Sequence, residues 1–361
     1  MKKHIIAMAA LAACMSAASA QTSVTIYGIV DAGITHVNND GPNGGRTTVE
    51  AGQMQVSRWG FKGVEDLGGG LKARFGLEGT LLNDTGGAGV ATGNPSTTSL
   101  FDREATVGLT GSFGSIDFGR QNILGVLSVG MADPMSLAFA ATSPNVLFAG
   151  MNHAGVYGTY GANGGGTALR QNNSIRYVSP SFGGFGFALM RGFGEQPGDS
   201  QRSSYQGASA FYNAGALNLY GAYARMKNPT NTDLLTSHAV GVKYTMPRVV
   251  LKSTYSENEL DSTGRKISVF GAGVDVPVAP AITLTGAFYN TRRSGDLKDD
   301  SQQYIFITRY ALSKRSTAYF SYGHAATDRI VQATDINLAQ GFVAVGSDSA
   351  NRLTVGLMHM F

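Results

Sequence analysis

The sequence predicts an all-β fold, a transmembrane barrel of sixteen antiparallel strands, and three observations carry that prediction. Segments in which apolar and polar residues alternate recur along the chain, separated by clusters of Gly, Asn, Pro and Asp. The connections between these segments alternate between short turns and long polar loops. The mean hydropathy is −0.04, which is expected when lipid-facing and water-facing residues alternate.

The first twenty residues predict a secretory signal peptide, so the barrel domain is expected over 21–361. Two lysines form the positive start, an apolar run follows, and small residues up to Ala20 fit a cleavage site. A lipoprotein signal at 11–14 is the alternative interpretation. Cys14 is the only cysteine of the chain, and cleavage after Ala20 would leave a barrel without disulfides.

Composition excludes several classes of protein. Glycine accounts for 49 of 361 residues, about twice its ordinary usage, but it has no period of three, which excludes collagen. Without the two leader lysines, 26 basic residues face 24 acidic residues. No clustered basic excess is present, so nucleic-acid binding is not predicted.

Sixteen segments are strand candidates, and most reach the roughly 9–11 residues that a tilted strand needs to cross a bilayer. They are 24–35, 51–65, 70–83, 100–111, 114–121, 172–179, 184–193, 204–213, 216–225, 235–246, 248–257, 267–277, 281–291, 302–311, 315–324 and 352–361. The long loops are expected at 38–50, 84–99, 122–171, 194–203, 226–234, 258–266, 292–301 and 325–350. Unpaired backbone groups are costly in hydrocarbon, so the strands should close into a ring. A ring of sixteen leaves room for an aqueous lumen.

Several motifs resemble one known family. Ser-Arg-Trp-Gly-Phe-Lys-Gly at 57–63 and Glu-Asp-Leu-Gly at 65–68 resemble the second strand and first turn of general trimeric porins. Phe-Asp-Arg at 101–103 and Phe-Gly-Arg-Gln at 118–121 resemble the next hairpin, and Val-Thr-Ile-Tyr-Gly at 24–28 resembles the first strand. The similarity is to porins of the Burkholderia, Bordetella and Comamonas type, and it extends over the whole mature chain.

The resemblance implies a water-filled channel in the outer membrane of a Gram-negative bacterium, open to passive diffusion of small hydrophilic solutes. It also implies a homotrimer in contact with outer-membrane lipid and lipopolysaccharide. Three alternatives remain open: a solute-specific porin for an anionic metabolite, an adhesin or antigen using its external loops, and a soluble secreted β-protein. No phosphate-binding loop is present and the histidines lack metal-ligand spacing, so no enzyme, cofactor or metal site is predicted.

Strand alternation predicts which basic residues face the lumen. Trp59 and Phe61 share one face of the second strand, so Arg58 and Lys62 should face inward. Ile175 and Tyr177 should likewise face outward, which directs Arg170 and Arg176 inward.

Two further arginines are ambiguous from alternation alone. Arg103 shares its parity with apolar Ala105, Val107 and Leu109, which would place it outside. The resemblance places it in the lumen instead, and a charge facing lipid costs up to roughly 2–4 kcal/mol. Arg120 is similarly ambiguous and is a weaker candidate for the lumen.

The resemblance also implies that the third loop, 122–171, folds into the barrel and narrows it to an eyelet. The eyelet is expected to contain Arg58, Arg103 and Arg170 opposite Asp133, the only acid of that loop. A basic ring of this kind favours anions. The terminal Phe361 resembles the family's signal for the outer-membrane insertion machinery.

Overall fold

The computed structural model describes residues 23–41, 44–88, 99–137, 160–161, 169–295, 299–331 and 342–361. The expected signal peptide at 1–20 lies outside the described residues, as does much of loop 122–171. No helix in the described part of the chain is long and apolar enough to span a membrane.

The alternating pattern produces eighteen strands among the described residues. They are β1 Ser23–Val37, β2 Arg46–Ala51, β3 Arg58–Gly68, β4 Leu71–Leu82, β5 Gly87–Ala88, β6 Glu104–Gly111, β7 Gly114–Asn122, β8 Arg170–Val178, β9 Phe185–Gly192, β10 Tyr205–Ala214, β11 Leu217–Lys227, β12 Leu234–Met246, β13 Val249–Leu260, β14 Arg265–Ala279, β15 Ile282–Ser294, β16 Asp299–Ala311, β17 Ser316–Thr327 and β18 Ser349–Met360. A helix, α1, spans Leu124–Ala132.

These strand segments close into an antiparallel barrel with sixteen strand positions, which confirms the predicted fold class. β1 pairs with β18 along one side and with β3 along the other, so the described sheet has no free edge at that seam. β2 pairs with the C-terminal half of β1, from Ala32 to Val37, and occupies the same position around the barrel as β3. The two-residue β5 pairs with the end of β4 and adds no further position to the ring. Closure pairs the backbone groups that hydrocarbon would leave unsatisfied.

The two faces of the wall differ as a membrane barrel requires. On β18, Leu353, Val355 and Leu357 are 41%, 56% and 52% exposed, whereas the intervening Thr354 is fully buried. A soluble β-protein would reverse this arrangement, with apolar residues inside.

Two details of the strand prediction were wrong. The second strand does not run continuously over 51–65, because residues 52–57 leave the ladder between β2 and β3. The long loop expected at 258–266 is only the turn 261–264, because β13 and β14 remain paired as far as Leu260 and Arg265. The ends of β13 and β14 are rich in charged residues. Their composition therefore resembles that of a loop, although their backbones are paired.

The described start of the third loop lies inside the barrel, as expected. A Cβ atom added at Gly241 would lie 2.7 Å from the Cβ of Ala132, and one added at Gly273 would lie 2.7 Å from the Cβ of Pro134. Both glycines lie on the lumen face of their strands and leave room for the loop.

Candidate functional site

Three arginines meet on one wall of the lumen. Arg58 begins β3, Arg103 precedes β6 and Arg170 begins β8. Arg103 Nε lies 2.6 Å from Glu78 Oε1, and Arg58 Nη1 lies 4.0 Å from the same oxygen. Arg170 Nε donates to the backbone carbonyl of Arg103 at 2.7 Å. The structure therefore brings together all three arginines predicted for the eyelet.

Glu78 is the acid in contact with Arg58 and Arg103, and it was not among the residues predicted for the eyelet. It lies on β4 opposite Arg58's strand, and its Oε2 accepts a hydrogen bond from the hydroxyl of Tyr27 at 3.1 Å. The sequence could have indicated Glu78, because it alternates in step with Arg74 and Thr80 in a segment predicted to be a strand, so all three side chains should lie on the lumen face.

The orientation of Arg103 follows from where β6 begins. The strand starts at Glu104, so Arg103 belongs to the preceding turn and strand parity does not apply to it. Asp102 fixes that turn, because its carboxylate accepts from the backbone N–H of Thr80 at 2.7 Å and from the Thr80 hydroxyl at 2.9 Å. The fixed turn directs Arg103 toward Glu78.

Arg120 extends the same network. Its Nε donates to the carbonyl of Asp102 at 2.6 Å and its Nη1 donates to Asn172 Oδ1 at 2.5 Å. A register shift between Gly119 and Gln121 interrupts simple alternation at this point, which explains why its orientation was ambiguous.

Lys62 and Arg176 lie nearer the short turns. The Lys62 ammonium lies 5.1 Å from the centre of the Tyr27 ring. Arg176 Nη2 lies 3.3 Å from Asp117 Oδ2, which also receives Arg74 Nη2 at 2.5 Å. Arg74 was not among the predicted residues, although it shares the inward parity of Glu78.

Asp133 lies inside the barrel but on the opposite wall from the arginines. It is fully buried, and its Oδ1 accepts from the hydroxyl of Tyr289 on β15 at 3.0 Å. Its Oδ2 accepts from the backbone N–H groups of Met135 and Leu137 at 3.0 and 2.8 Å. Asp133 therefore lies across the lumen from the arginines, as the sequence predicted, while Glu78 is the acid in direct contact with Arg58 and Arg103. The role of Asp133 in the eyelet stays a prediction.

Basic residues also lie on the wall beneath the loop. Lys252 Nζ lies 2.8 Å from Asp275 Oδ2 and donates to the Ser136 hydroxyl at 2.7 Å. Arg309 Nη2 lies 2.9 Å from Asp275 Oδ1. Two cations therefore face one carboxylate here, and Lys252 links this wall to the inward loop.

The far end of the third loop is tied to the external loops. Tyr160 donates to Asp233 Oδ2 at 2.7 Å, and Ser262 donates to the same oxygen at 2.5 Å. Partial burial works to raise the pKa of Asp233, but hydrogen bonds from Ser262 and Tyr160 outweigh it and hold that pKa below its ordinary value.

Phe361 closes the seam of the ring. Its backbone N–H donates to the carbonyl of Gly28 at 3.1 Å and its carbonyl accepts from the Gly28 N–H at 3.1 Å. The absence of a side chain at Gly28 leaves space for the ring, because a Cβ there would lie 2.4 Å from Phe361 Cζ.

A closed sixteen-stranded barrel with an apolar exterior, an inward third loop and charged side chains along its lumen defines a transmembrane channel of the porin type. A family model described as "Gram-negative porin" matches residues 7–329. The chain belongs to this family, whose members form channels in the cell outer membrane.

Two relatives and one solved structure illustrate the similarity. Outer membrane porin protein 32 of Delftia acidovorans is 31% identical over 380 residues and covers 100% of both chains. An outer membrane porin protein of Bordetella pertussis is 30% identical over 306 residues, which is 80% of this chain and 71% of that protein. The structure of an anion-selective porin from Comamonas acidovorans superposes with a TM-score of 0.79 at 25% identity, covering 94% of this chain and 100% of that one.

Proposed function

We propose that this outer-membrane porin is an anion-preferring diffusion channel whose selectivity is set by Arg58, Arg103 and Arg170. The single observation that carries the proposal is the imbalance of charge at the constriction. Three guanidinium groups lie on one lumen wall, and Glu78 is the carboxylate in contact with two of them. Such an excess of fixed positive charge attracts anions into a narrow, partly desolvated passage.

Arginine suits this role because it stays protonated at any working pH and presents several donors. On the wall beneath the loop, Lys252 and Arg309 lie against Asp275, and Asp133 lies on the same wall, so the two charges of each sign balance there. The excess of positive charge therefore lies on the arginine wall. The solved structure from Comamonas acidovorans described above is named an anion-selective porin. Its likeness to this chain supports the same preference here.

Planar-bilayer recording in a potassium chloride gradient tests the proposal. An open channel should give ohmic steps in conductance. The reversal potential should lie closer to the equilibrium potential of chloride than to that of potassium. A reversal potential on the potassium side would refute anion preference while leaving the channel function intact.

The assembly proposed for this chain is a homotrimer surrounded by lipid and lipopolysaccharide. On the outer face of β3, Trp59 lies 5.5 Å from Phe61 and 5.9 Å from Phe101 between ring centres. A patch of packed aromatic rings is suited to a subunit contact. Migration at three times the monomer mass on an unheated detergent gel would support the trimer, and migration at the monomer mass would refute it.

A further inference from the structure

Three polar side chains form a row on the outer surface of the barrel. Gln206 on β10 is in register with Arg191 on β9 and with Arg225 on β11. Two residues before each arginine, Leu189 and Tyr223 are 50% and 46% exposed, so these positions face outward. Adjacent strands are about 4.8 Å apart, which places the two arginine Cα atoms about 10 Å from each other.

The row lies at the end of the barrel that faces the cell exterior. β9 and β11 begin at short turns and reach Arg191 and Arg225 just before they end, where the longer connections 193–204 and 228–233 follow. Outer-membrane barrels carry their longer loops on the external side. The row therefore lies at the headgroup level of the outer leaflet.

An apolar groove runs from this row toward the membrane centre. Its floor consists of the small residues Ala208, Ala210 and Gly221, and bulkier side chains such as Leu189 and Tyr223 form its flanks. Two open surface depressions of about 530 and 400 Å³ adjoin at Ala208 and Tyr223 and together make up the groove. Its size and lining suit an acyl chain.

The two arginines differ from Lys266 and Arg292, two cations that also face outward at this rim. Lys266 lies 3.0 Å from Glu259, and Arg292 lies 3.4 Å from Asp300. No carboxylate among the described residues lies within salt-bridge distance of Arg191 or Arg225. Arg191 instead lies over the Phe193 ring at 6.0 Å and donates to the Ser200 carbonyl at 3.3 Å.

We propose that this row and groove form a binding site for a phosphorylated, multiply acylated glycolipid of the outer leaflet. Arg191 and Arg225 hold a phosphate group, which matches the fork of guanidinium donors. An acyl chain occupies the groove over Ala208, Ala210 and Gly221. The inference deepens the lipid contact proposed above and does not depend on the channel's ion preference.

A second copy of this chain fits the site less well than a lipid. A protein partner would have to bury two guanidinium groups, which is costly unless it supplies carboxylates. The acids identified on the outer face of this rim, Glu257, Glu259 and Asp300, already lie within 4.0 Å of a cation. A phosphate brings its own compensating charge.

The test compares lipid binding by the full folded porin in detergent, measured by native mass spectrometry. Diphosphorylated lipid A is titrated against the wild type, Arg191→Gln/Arg225→Gln and the control Arg292→Gln, whose arginine faces outward at the same rim but pairs with Asp300. We expect the double variant to lose about tenfold in affinity per arginine and the control to match the wild type. Dephosphorylated lipid A should bind the wild type as weakly as diphosphorylated lipid A binds the double variant.

A second variant tests the groove separately from the charges. Ala208→Leu fills the floor of the groove and keeps both arginines, so it should weaken lipid A binding without removing the dependence on phosphate. Equal lipid affinity in all variants would overturn the inference, as would dissociation of the trimer in the double variant with lipid binding unchanged. Bilayer conductance of the same proteins shows whether the channel is intact, so failure at this site is distinguishable from failure of the proposed function.

Discussion

Arg103 Nε lies 2.6 Å from Glu78 Oε1 on the lumen wall formed by β3, β4 and β6 to β8. Glu78 also lies 4.0 Å from Arg58 and accepts from Tyr27. This carboxylate therefore holds Arg103 by a hydrogen bond and offsets part of the positive charge of the arginine wall. Its removal should have the opposite effect on selectivity from removal of the arginines.

Glu78→Gln should strengthen the preference for anions. The amide keeps the side-chain shape and a hydrogen-bond acceptor but leaves Arg58 and Arg103 without a counter-charge. We expect the anion-to-cation permeability ratio to rise about threefold at 0.01 M salt and far less at 1 M, because the Debye length falls from roughly 30 Å to about 3 Å. Asp300→Asn, which removes an acid from the outer rim, is the control and should leave the permeability ratio unchanged at both salt concentrations. A ratio that stays constant at low salt would place Glu78 outside the ion path.

Replacing both Arg58 and Arg103 by Glu should move the reversal potential toward the cation side. Because the new carboxylates would lie beside Glu78, the milder pair Arg58→Gln and Arg103→Gln is measured in parallel and should reduce the preference without inverting it. Arg292→Glu places the same change on the outer face and serves as control. If both pairs retain the wild-type reversal potential in folded channels, neither arginine acts on the passing ion.

Strand alternation was sufficient to predict the barrel, its strand number and the inward positions of Arg58 and Arg176. It failed where the backbone leaves the regular ladder. Arg103 precedes β6 and Arg120 lies at a register shift, so the side chain there does not follow the parity of its neighbours. Local sequence carries little information on such irregularities, because they depend on contacts such as Asp102 with Thr80 across the sheet.

The partners of the charged residues were harder to predict than their orientation. Asp133 was expected to oppose the arginines and lies on the opposite wall, but its hydrogen bonds with Tyr289, Met135 and Leu137 were not predicted. Which wall it reaches depends on the path of the loop through the barrel, and the glycines that receive the loop, Gly241 and Gly273, lie more than a hundred residues away. Glu78, by contrast, could have been found from parity alone.

Deletion of Phe361 should reduce the amount of porin in the outer membrane severalfold, while refolding in detergent survives. The deletion removes one pair of backbone hydrogen bonds with Gly28, a small part of a ladder that joins β1 and β18 over nine residue pairs. The measurement is surface labelling in cells beside heat-modifiable migration of refolded protein. Phe361→Ala keeps the backbone pair and should behave like the deletion in cells, whereas Phe361→Tyr should behave like the wild type. Equal surface levels of all four proteins would exclude a role in assembly.

Asp133→Asn tests whether this residue acts through its charge or through its hydrogen bonds. The carboxylate accepts from Tyr289, Met135 and Leu137, and an amide would turn its NH₂ group toward one of these donors. Loss of such a buried, charge-assisted bond costs about 1.5–3 kcal/mol, which should loosen the loop from the wall. Tyr289→Phe removes one of the same bonds but keeps the charge, and is therefore the matched variant. We expect both to increase conductance and current noise, with a smaller change in ion preference than Glu78→Gln causes. If Asp133→Asn instead raises the anion preference at low salt while Tyr289→Phe leaves conductance and selectivity unchanged, Asp133 acts as an electrostatic counterweight to the arginines across the lumen.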